Sequence, residues 1–304
     1  MSEADSTSGG SDVVGREVAD GRQRLRRAAE TGLGTSAREA DLLAAHVLGW
    51  TEAQVRARDD RALSVAQRDH YRRLIERRVA GEPVAYLTGR REFFGRELSV
   101  DDRVLIPRPE TEHLIEAVLS DPVVVESAAG SKAADGPRLL DVGTGSGCIA
   151  VTLACELPTA RVTATDLSTG ALEVARRNAR RLGVGSRVDF LQTHLAAGLD
   201  LGAFDVLVSN PPYVANEAAA EMSPEVADYE PHLALFAEDQ GRALIVELLD
   251  AAVGLRSGAA IWLELGYDQG DWILGAMAER PHLDRGRLLR DYSGHPRVAG
   301  CVRA

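Results

Sequence analysis

The chain has 304 residues, 46 of them acidic against 35 Lys and Arg, giving a net charge of −11. That length allows two domains and a sizeable core, and the acidic balance disfavours a nonspecific duplex-DNA binder, which needs a basic face. No run of eighteen apolar residues is present to form a membrane span, and Cys148, Cys155 and Cys301 form no C-x-x-C pair, so a reducing cytoplasm is expected and neither a disulfide framework nor a metal site is.

Met1 to Ser11 is small, polar and acidic, with no basic and apolar stretch of the signal-peptide kind, and reads as a disordered tail of residues 1–11. Residues 12–88 read as a helical bundle. Val13 to Ala29 is one helical stretch. Ser36-Ala-Arg-Glu39 is a capping box that opens a second, carrying Leu42, Leu43, Val47 and Leu48 and stopped by Gly49. Ser64-Val-Ala-Gln67 repeats the device, and Tyr71, Leu74, Ile75 and Val79 then form a stripe of helical period. This part is rich in Arg: between Ser11 and Arg91 there are 16 Arg against 12 acids. Either it is a partner-docking surface or its arginines simply decorate solvated helix faces.

Glu92 to Val100 alternates around Gly95 as a hairpin does, which makes residues 89–108 a linker. Pro107-Arg108-Pro109 breaks the chain before a helix near Glu110, with Pro109 and the acids Glu110 and Glu112 suiting a helix N-terminus. Asp121 to Pro137, rich in Ala, Gly, Ser and Asp, reads as a surface loop or insertion.

The catalytic pattern begins at the strand Arg138 to Val142. It runs into Gly143-Thr144-Gly145-Ser146-Gly147 and then an apolar helix from Cys148. Strand, glycine loop and helix form the first turn of a doubly wound α/β sheet that binds nucleotide-like ligands. A second strand, Arg161 to Thr165, ends at Asp166, nineteen positions past Gly147. A carboxylate there accepts hydrogen bonds from ribose hydroxyls, or else caps the following helix. The loop lacks the third glycine of the dinucleotide spacing, which points to S-adenosylmethionine, a ligand with no pyrophosphate to cradle.

Phe204 to Ser209 is an apolar run of the buried parallel-strand kind, stopped by Asn210-Pro211-Pro212-Tyr213. The Asn210 amide oxygen and the Pro211 carbonyl are two acceptors for the hydrogens of a flat –NH2 group, and Tyr213 offers an aromatic face. A further strand, Ala259 to Glu264, precedes a helix opened by Gly266-Tyr-Asp-Gln269, and Leu288 to Tyr292 and Val298 to Val302 supply the last strands. This alternation predicts a mostly parallel sheet with an antiparallel edge over residues 109–304.

Asp141-Val-Gly-Thr-Gly-Ser-Gly147, Thr165-Asp166-Leu-Ser168 and Asn210-Pro-Pro-Tyr213 resemble class I S-adenosylmethionine-dependent methyltransferases that act on planar amino groups. Gly81 to Gly89, Glu92 to Gly95, Val104-Leu-Ile-Pro-Arg-Pro-Glu-Thr-Glu112 and the tail Asp291-Tyr-Ser-Gly-His-Pro-Arg-Val298 are similar to the HemK/PrmC family, protein-(glutamine-N5) methyltransferases. That resemblance covers roughly residues 35 to 300. It implies methylation of the glutamine in the Gly-Gly-Gln motif of class I peptide chain release factors, with no DNA or membrane partner. It further implies that Gly143, Thr144, Gly145, Ser146 and Gly147 line the cofactor and Asp166 holds its ribose. Asn210, Pro211, Pro212 and Tyr213 would grip the substrate, with Asn210, Pro211 and Tyr213 as the catalytic group and Asn210 near the cofactor methyl. The chain departs from the family at His194-Leu195, where Asp and Trp are usual, leaving Leu195 only apolar packing to offer the cofactor. Two other readings stay open: an amino methyltransferase acting on adenine or on guanine in ribosomal RNA, with a flipped base in the same loop, and a nucleotide-binding module whose site has degenerated.

Overall fold

A computed structural model describes residues 13–129, 136–215 and 222–304. It divides into two compact units. One is Met1–Thr88 together with Ser223–Tyr229; the other is Gly89–Met222 with Glu230–Ala304. The acidic tail expected at the N-terminus lies outside the described residues.

The first unit is helical: α1 (Val14–Glu30), α2 (Ala37–Leu48), α3 (Glu52–Ala57), α4 (Val65–Val79) and α5 (Val84–Thr88). The Glu39 carboxylate reaches back to the Ser36 N–H at 3.3 Å, and Gln67 and Ser64 exchange reciprocal bonds at 3.0 and 3.2 Å. A third box, Thr51 with Gln54, opens α3. Leu25, Leu43, Tyr71, Leu74 and Ile75 fill the core of this unit. Many of its arginines are spent internally, as in Arg22 and Arg56 with Asp41, Arg38 with Glu52, Arg72 with Glu17 and Arg77 with Glu82.

The second unit opens with the hairpin β1 (Arg90–Phe93) and β2 (Arg96–Ser99), followed by α6 (Thr111–Leu119) and α7 (Pro122–Ala129). The stretch read as a loop from Asp121 therefore begins as a helix. Pro122 stands at its first position, where a missing N–H costs nothing, and the Asp121 carboxylate accepts from Val123 N. Next come β3 (Arg138–Val142), α8 (Cys148–Glu156), β4 (Arg161–Asp166), α9 (Thr169–Arg181), β5 (Val188–Gln192), β6 (Val206–Ser209) and β7 (Val214–Ala215). After α10 (Pro224–Tyr229), which belongs to the first unit, β8 (Phe236–Ala237), α11 (Glu238–Gly241), α12 (Ala243–Ala251), β9 (Ala260–Glu264), α13 (Gly270–Ala278), β10 (Leu283–Arg290) and β11 (Pro296–Arg303) complete the chain.

Seven strands form the main sheet in the order β10-β11-β9-β6-β3-β4-β5. The five from β9 to β5 are parallel, and β11 and β10 add the antiparallel edge. Side chains alternate between two cores, as the pleat requires. Val206, Val208, Ala260 and Trp262 join the cluster that contains α6 and α8 residues, whereas Leu207, Ile261 and Leu263 join the cluster of α12 and α13. Burial on both faces is why β6 and β9 read as unbroken apolar runs.

Candidate active site

Parallel register brings the carboxyl ends of the strands to one edge. Val142 pairs with Thr165 on one side and Ser209 on the other, and Ser209 with Leu263. The chain leaves β3 between β4 and β6, at the point where strand order reverses, and such a crevice is where open α/β sheets bind ligands. The Gly143 loop, Asp166, Asn210 and Glu264 thus converge from four distant parts of the sequence.

A cleft of about 220 Å³ opens there, lined among others by Gly143, Gly145, Asp166, His194, Leu195, Asn210, Pro211 and Pro212. Gly143 and Gly145 hold φ of +74° and +54°, and where a Cβ would stand at either one nothing lies within 4 Å. Side chains there would fill the ligand space and strain the backbone. Asp166 ties the loop down, its Oδ2 accepting from Gly145 N at 2.9 Å and its Oδ1 from Ser168 N at 2.8 Å. Asp166 thus holds the loop and the turn before α9, while the cap of α9 is Ser168, whose hydroxyl accepts from Ala171 N; each Asp166 oxygen keeps a lone pair for a ligand hydroxyl. Burial raises the Asp166 pKa against the lowering effect of the backbone N–H groups.

Three of the five loop residues assigned to the cofactor are not part of the cleft lining. Thr144 is buried and its hydroxyl donates to Asp141 Oδ2 at 2.6 Å. Ser146 is buried as well, its carbonyl accepting from Asn178. Gly147 starts α8, and a Cβ there would meet Ala175 of α9 at 3.0 Å, so its role is helix packing. Asp141 organises this turn from beneath by also accepting from Ala150 N at 3.2 Å, and burial pushes its carboxyl up to about 7.

His194 lines the cleft beside Leu195, its Nδ1 lying 3.9 Å from a Glu247 carboxylate oxygen. Leu195 holds φ +50°, and its carbonyl accepts from the Thr165 hydroxyl at 2.7 Å. The apolar surface expected of Leu195 does face the cleft, together with Leu105, Leu233 and Leu244.

Tyr213 stands differently from its sequence reading as a face stacked on the substrate. It does not line the cleft. It packs against the α12–α13 core, and its hydroxyl donates to Glu264 Oε1 at 3.3 Å. The Asn210 amide nitrogen donates to the Thr111 hydroxyl oxygen at 3.2 Å. Gln269 anchors the loop from behind, Nε2 donating to the Tyr213 carbonyl at 3.2 Å while its Oε1 accepts from Gly266 N at 3.1 Å.

Gly241 sets the same loop by close approach. Its φ is +78°, and an added Cβ would fall 2.0 Å from the Tyr213 carbonyl oxygen. Gly241→Ala is expected to displace that carbonyl from Gln269 and to cost about 1–3 kcal/mol. Denaturant melts read the loss, and a parent-like midpoint with unchanged turnover would show that the loop yields freely.

Sequence reasoning missed Thr111, Glu264, Gln269 and Gly241. Glu264 alone left a signal: a carboxylate closing a strand of otherwise wholly apolar residues.

Fold and cleft together define a class I methyltransferase whose cofactor is S-adenosylmethionine. Residues 18–89 match the PrmC N-terminal domain and residues 129–227 the methyltransferase small domain. A release factor glutamine methyltransferase of Burkholderia pseudomallei is 46% identical over 76% of this chain and 80% of its own. Its counterpart from Chlorobaculum tepidum is 42% identical over 86% and 89%. The chain belongs to this HemK/PrmC family of release factor glutamine methyltransferases. Among solved structures, the catalytic domain of hMettl16 shares the fold at 16% identity, with a TM-score of 0.55 over 75% of this chain and 81% of that one.

Proposed function

We propose that this protein methylates the side-chain nitrogen (N5) of the glutamine in the Gly-Gly-Gln motif of class I peptide chain release factors, in the cytoplasm. The observation that carries this reading is the single cleft shared by Gly143, Gly145 and Asp166 on one side and Asn210 and Pro211 on the other. The open space at the two glycines and the spare lone pairs of Asp166 suit the nucleoside part of S-adenosylmethionine. That cofactor supplies an electrophilic methyl group on a sulfonium.

Asn210 and Pro211 act on the other reactant. Because Asn210 Nδ2 is committed to Thr111, its Oδ1 is the end left to accept a substrate N–H. With the Pro211 carbonyl it takes up both hydrogens of the amide. These bonds draw electron density onto nitrogen and strengthen as it pyramidalises, so they favour the transition state over the ground state. Fixed orientation lowers the barrier further. With the cofactor bound, the nitrogen held by Asn210 and Pro211 would receive the methyl group as the carbon–sulfur bond breaks and leaves a neutral thioether, and the nitrogen would then shed one proton to water. An alkylated amide nitrogen is acidic enough to need no strong base, which accords with a clamp made of acceptors only.

The internal pairing of arginines in the helical unit weakens the case for nucleic acid as the substrate. Incubation with labelled S-adenosylmethionine and a release factor, beside a factor whose motif glutamine is replaced, tests the proposal. Label on the unaltered factor alone is expected. Label on tRNA, rRNA or DNA and on neither factor would overturn it.

A further inference from the structure

Glu264 has no place in the reaction described so far. It ends β9 with no exposed surface, a carboxyl among apolar strands, and its Oε2 is buried without a hydrogen bond among the described residues. Burying such a group is costly unless it is paired, and among the described residues no basic side chain forms an ion pair with it, Arg297 and Arg108 being paired with Asp291 and Glu230. Its near neighbours are instead two hydroxyls of the substrate clamp. Tyr213 donates to Oε1 at 3.3 Å, and Thr111 acts on the same carboxyl, lowering its proton affinity.

Thr111 has one proton and uses its oxygen to accept from Asn210 Nδ2 at 3.2 Å. Its own proton is then free to turn to the carboxyl. A carboxylate only accepts, so a chain that ends on one has a fixed direction. Asn210 N–H donates to Thr111, and the remaining Thr111 proton has the Glu264 carboxyl, on which Thr111 acts, to turn to. The direction decides which end of the Asn210 amide meets the cleft. An amide turned over would present –NH2 to a substrate –NH2, donor against donor.

We propose that Glu264 is the positioning residue of the clamp, holding Thr111 and Tyr213 as donors so that Asn210 keeps its oxygen toward the substrate amide. The inference rests on the methyltransferase reading for its consequence and, for its mechanism, on the bonds of Asn210 to Thr111 and of Tyr213 to Glu264 and on the effect of Thr111 on that carboxyl. Burial pushes the Glu264 carboxyl up to about 7, against the lowering effects of Thr111, Arg297 and Tyr213 and with a small further rise from Glu110. Cys148, itself pushed up by burial, also feels this carboxyl, and Arg108 acts on Tyr213. Protonation turns one oxygen into a donor and removes the fixed end of the chain. The clamp is therefore set on the alkaline side of that value and lost on the acid side.

The test has a reading that needs no substrate. The Asn210 side-chain amide, assigned in ¹⁵N-labelled protein by its loss in Asn210→Asp, is followed from pH 5.5 to 8.5. A titration near neutrality in the parent, absent in Glu264→Gln, is expected. In parallel, turnover on a release factor should fall by about tenfold or more in Glu264→Gln, with KM for S-adenosylmethionine within about twofold and the acid limb of the kcat profile removed. Thr111→Val, which cuts the relay and spares the Tyr213 bond, should reproduce the loss, and Thr111→Ser should restore it. This pair decides the matter if Glu264→Gln does not fold. An Asn210 amide that ignores pH in the parent, or that titrates alike in parent and Glu264→Gln, overturns the inference. A parent that methylates no release factor refutes the substrate assignment, while the amide titration still decides the role of Glu264.

Discussion

Asn210→Ala is expected to lower turnover by about 10²-fold or more, the scale seen when one group aimed at a transition state is removed. Asn210 is the cleft residue whose side-chain acceptor is left over after internal bonding, since its nitrogen is taken by Thr111. An amide nitrogen is a weak nucleophile because its lone pair is delocalised, so loss of that acceptor should fall on the chemical step. The cofactor's other supports, the open glycine loop and Asp166 with its backbone bonds, are untouched by the change. Binding of S-adenosylmethionine, measured by calorimetry, should therefore shift far less than kcat. Near-normal turnover would remove Asn210 from the chemistry altogether. Asn210→Asp separates charge from acceptor strength: it keeps an oxygen in place and gives up the N–H that Thr111 receives.

Much of the architecture was legible because its signals are local. The Ser36 and Ser64 boxes marked α2 and α4 through residues three apart. The β3–α8 turn announced itself in consecutive glycines. What escaped was set by contacts distant in sequence. Pro122–Ala129 is helical although three consecutive valines argue against it locally, because Val124 is buried in the core with α6 and α8 residues. Tyr213 looked like a stacking ring from its place beside two prolines. Only β9, fifty-one residues on, supplies the carboxyl that claims its hydroxyl. The glycine loop was read as five cofactor contacts, yet a tight turn alternates its faces. Gly143 and Gly145 meet the cleft, while Thr144 serves Asp141 and Gly147 serves α9. Nothing in residues 223–229 shows that this stretch of the catalytic sequence packs with the N-terminal helices.

Arg78→Ala should destabilise the helical unit by about 3 kcal/mol, the lower end of the range for removing one member of a buried ion pair. The Arg78 side chain is 1% exposed, and it donates to Glu39 at 2.8 Å and to Glu225 at 3.0 Å. It also reaches the carbonyls of Gly81 at 3.3 Å and Glu82 at 3.2 Å. Its acid partners retain 17% and 29% side-chain exposure, so water can partly screen the charges left behind. That places the loss at the low end of the range. The substitution also opens a cavity and removes a tie of α10 to α4; another is the Tyr229 hydroxyl donating to the carbonyl of Ala80, at the α4 C-cap, at 2.9 Å. Hydrogen exchange should then rise in residues 224–229 and in α4 together, with the main sheet unchanged. Arg78→Lys keeps the charge and loses the planar fork, so it should fall between the two. Exchange that stays parent-like in α10 would mean Arg78 does not hold that segment. A uniform rise that included β3 and β6 would mean the two units unfold as one.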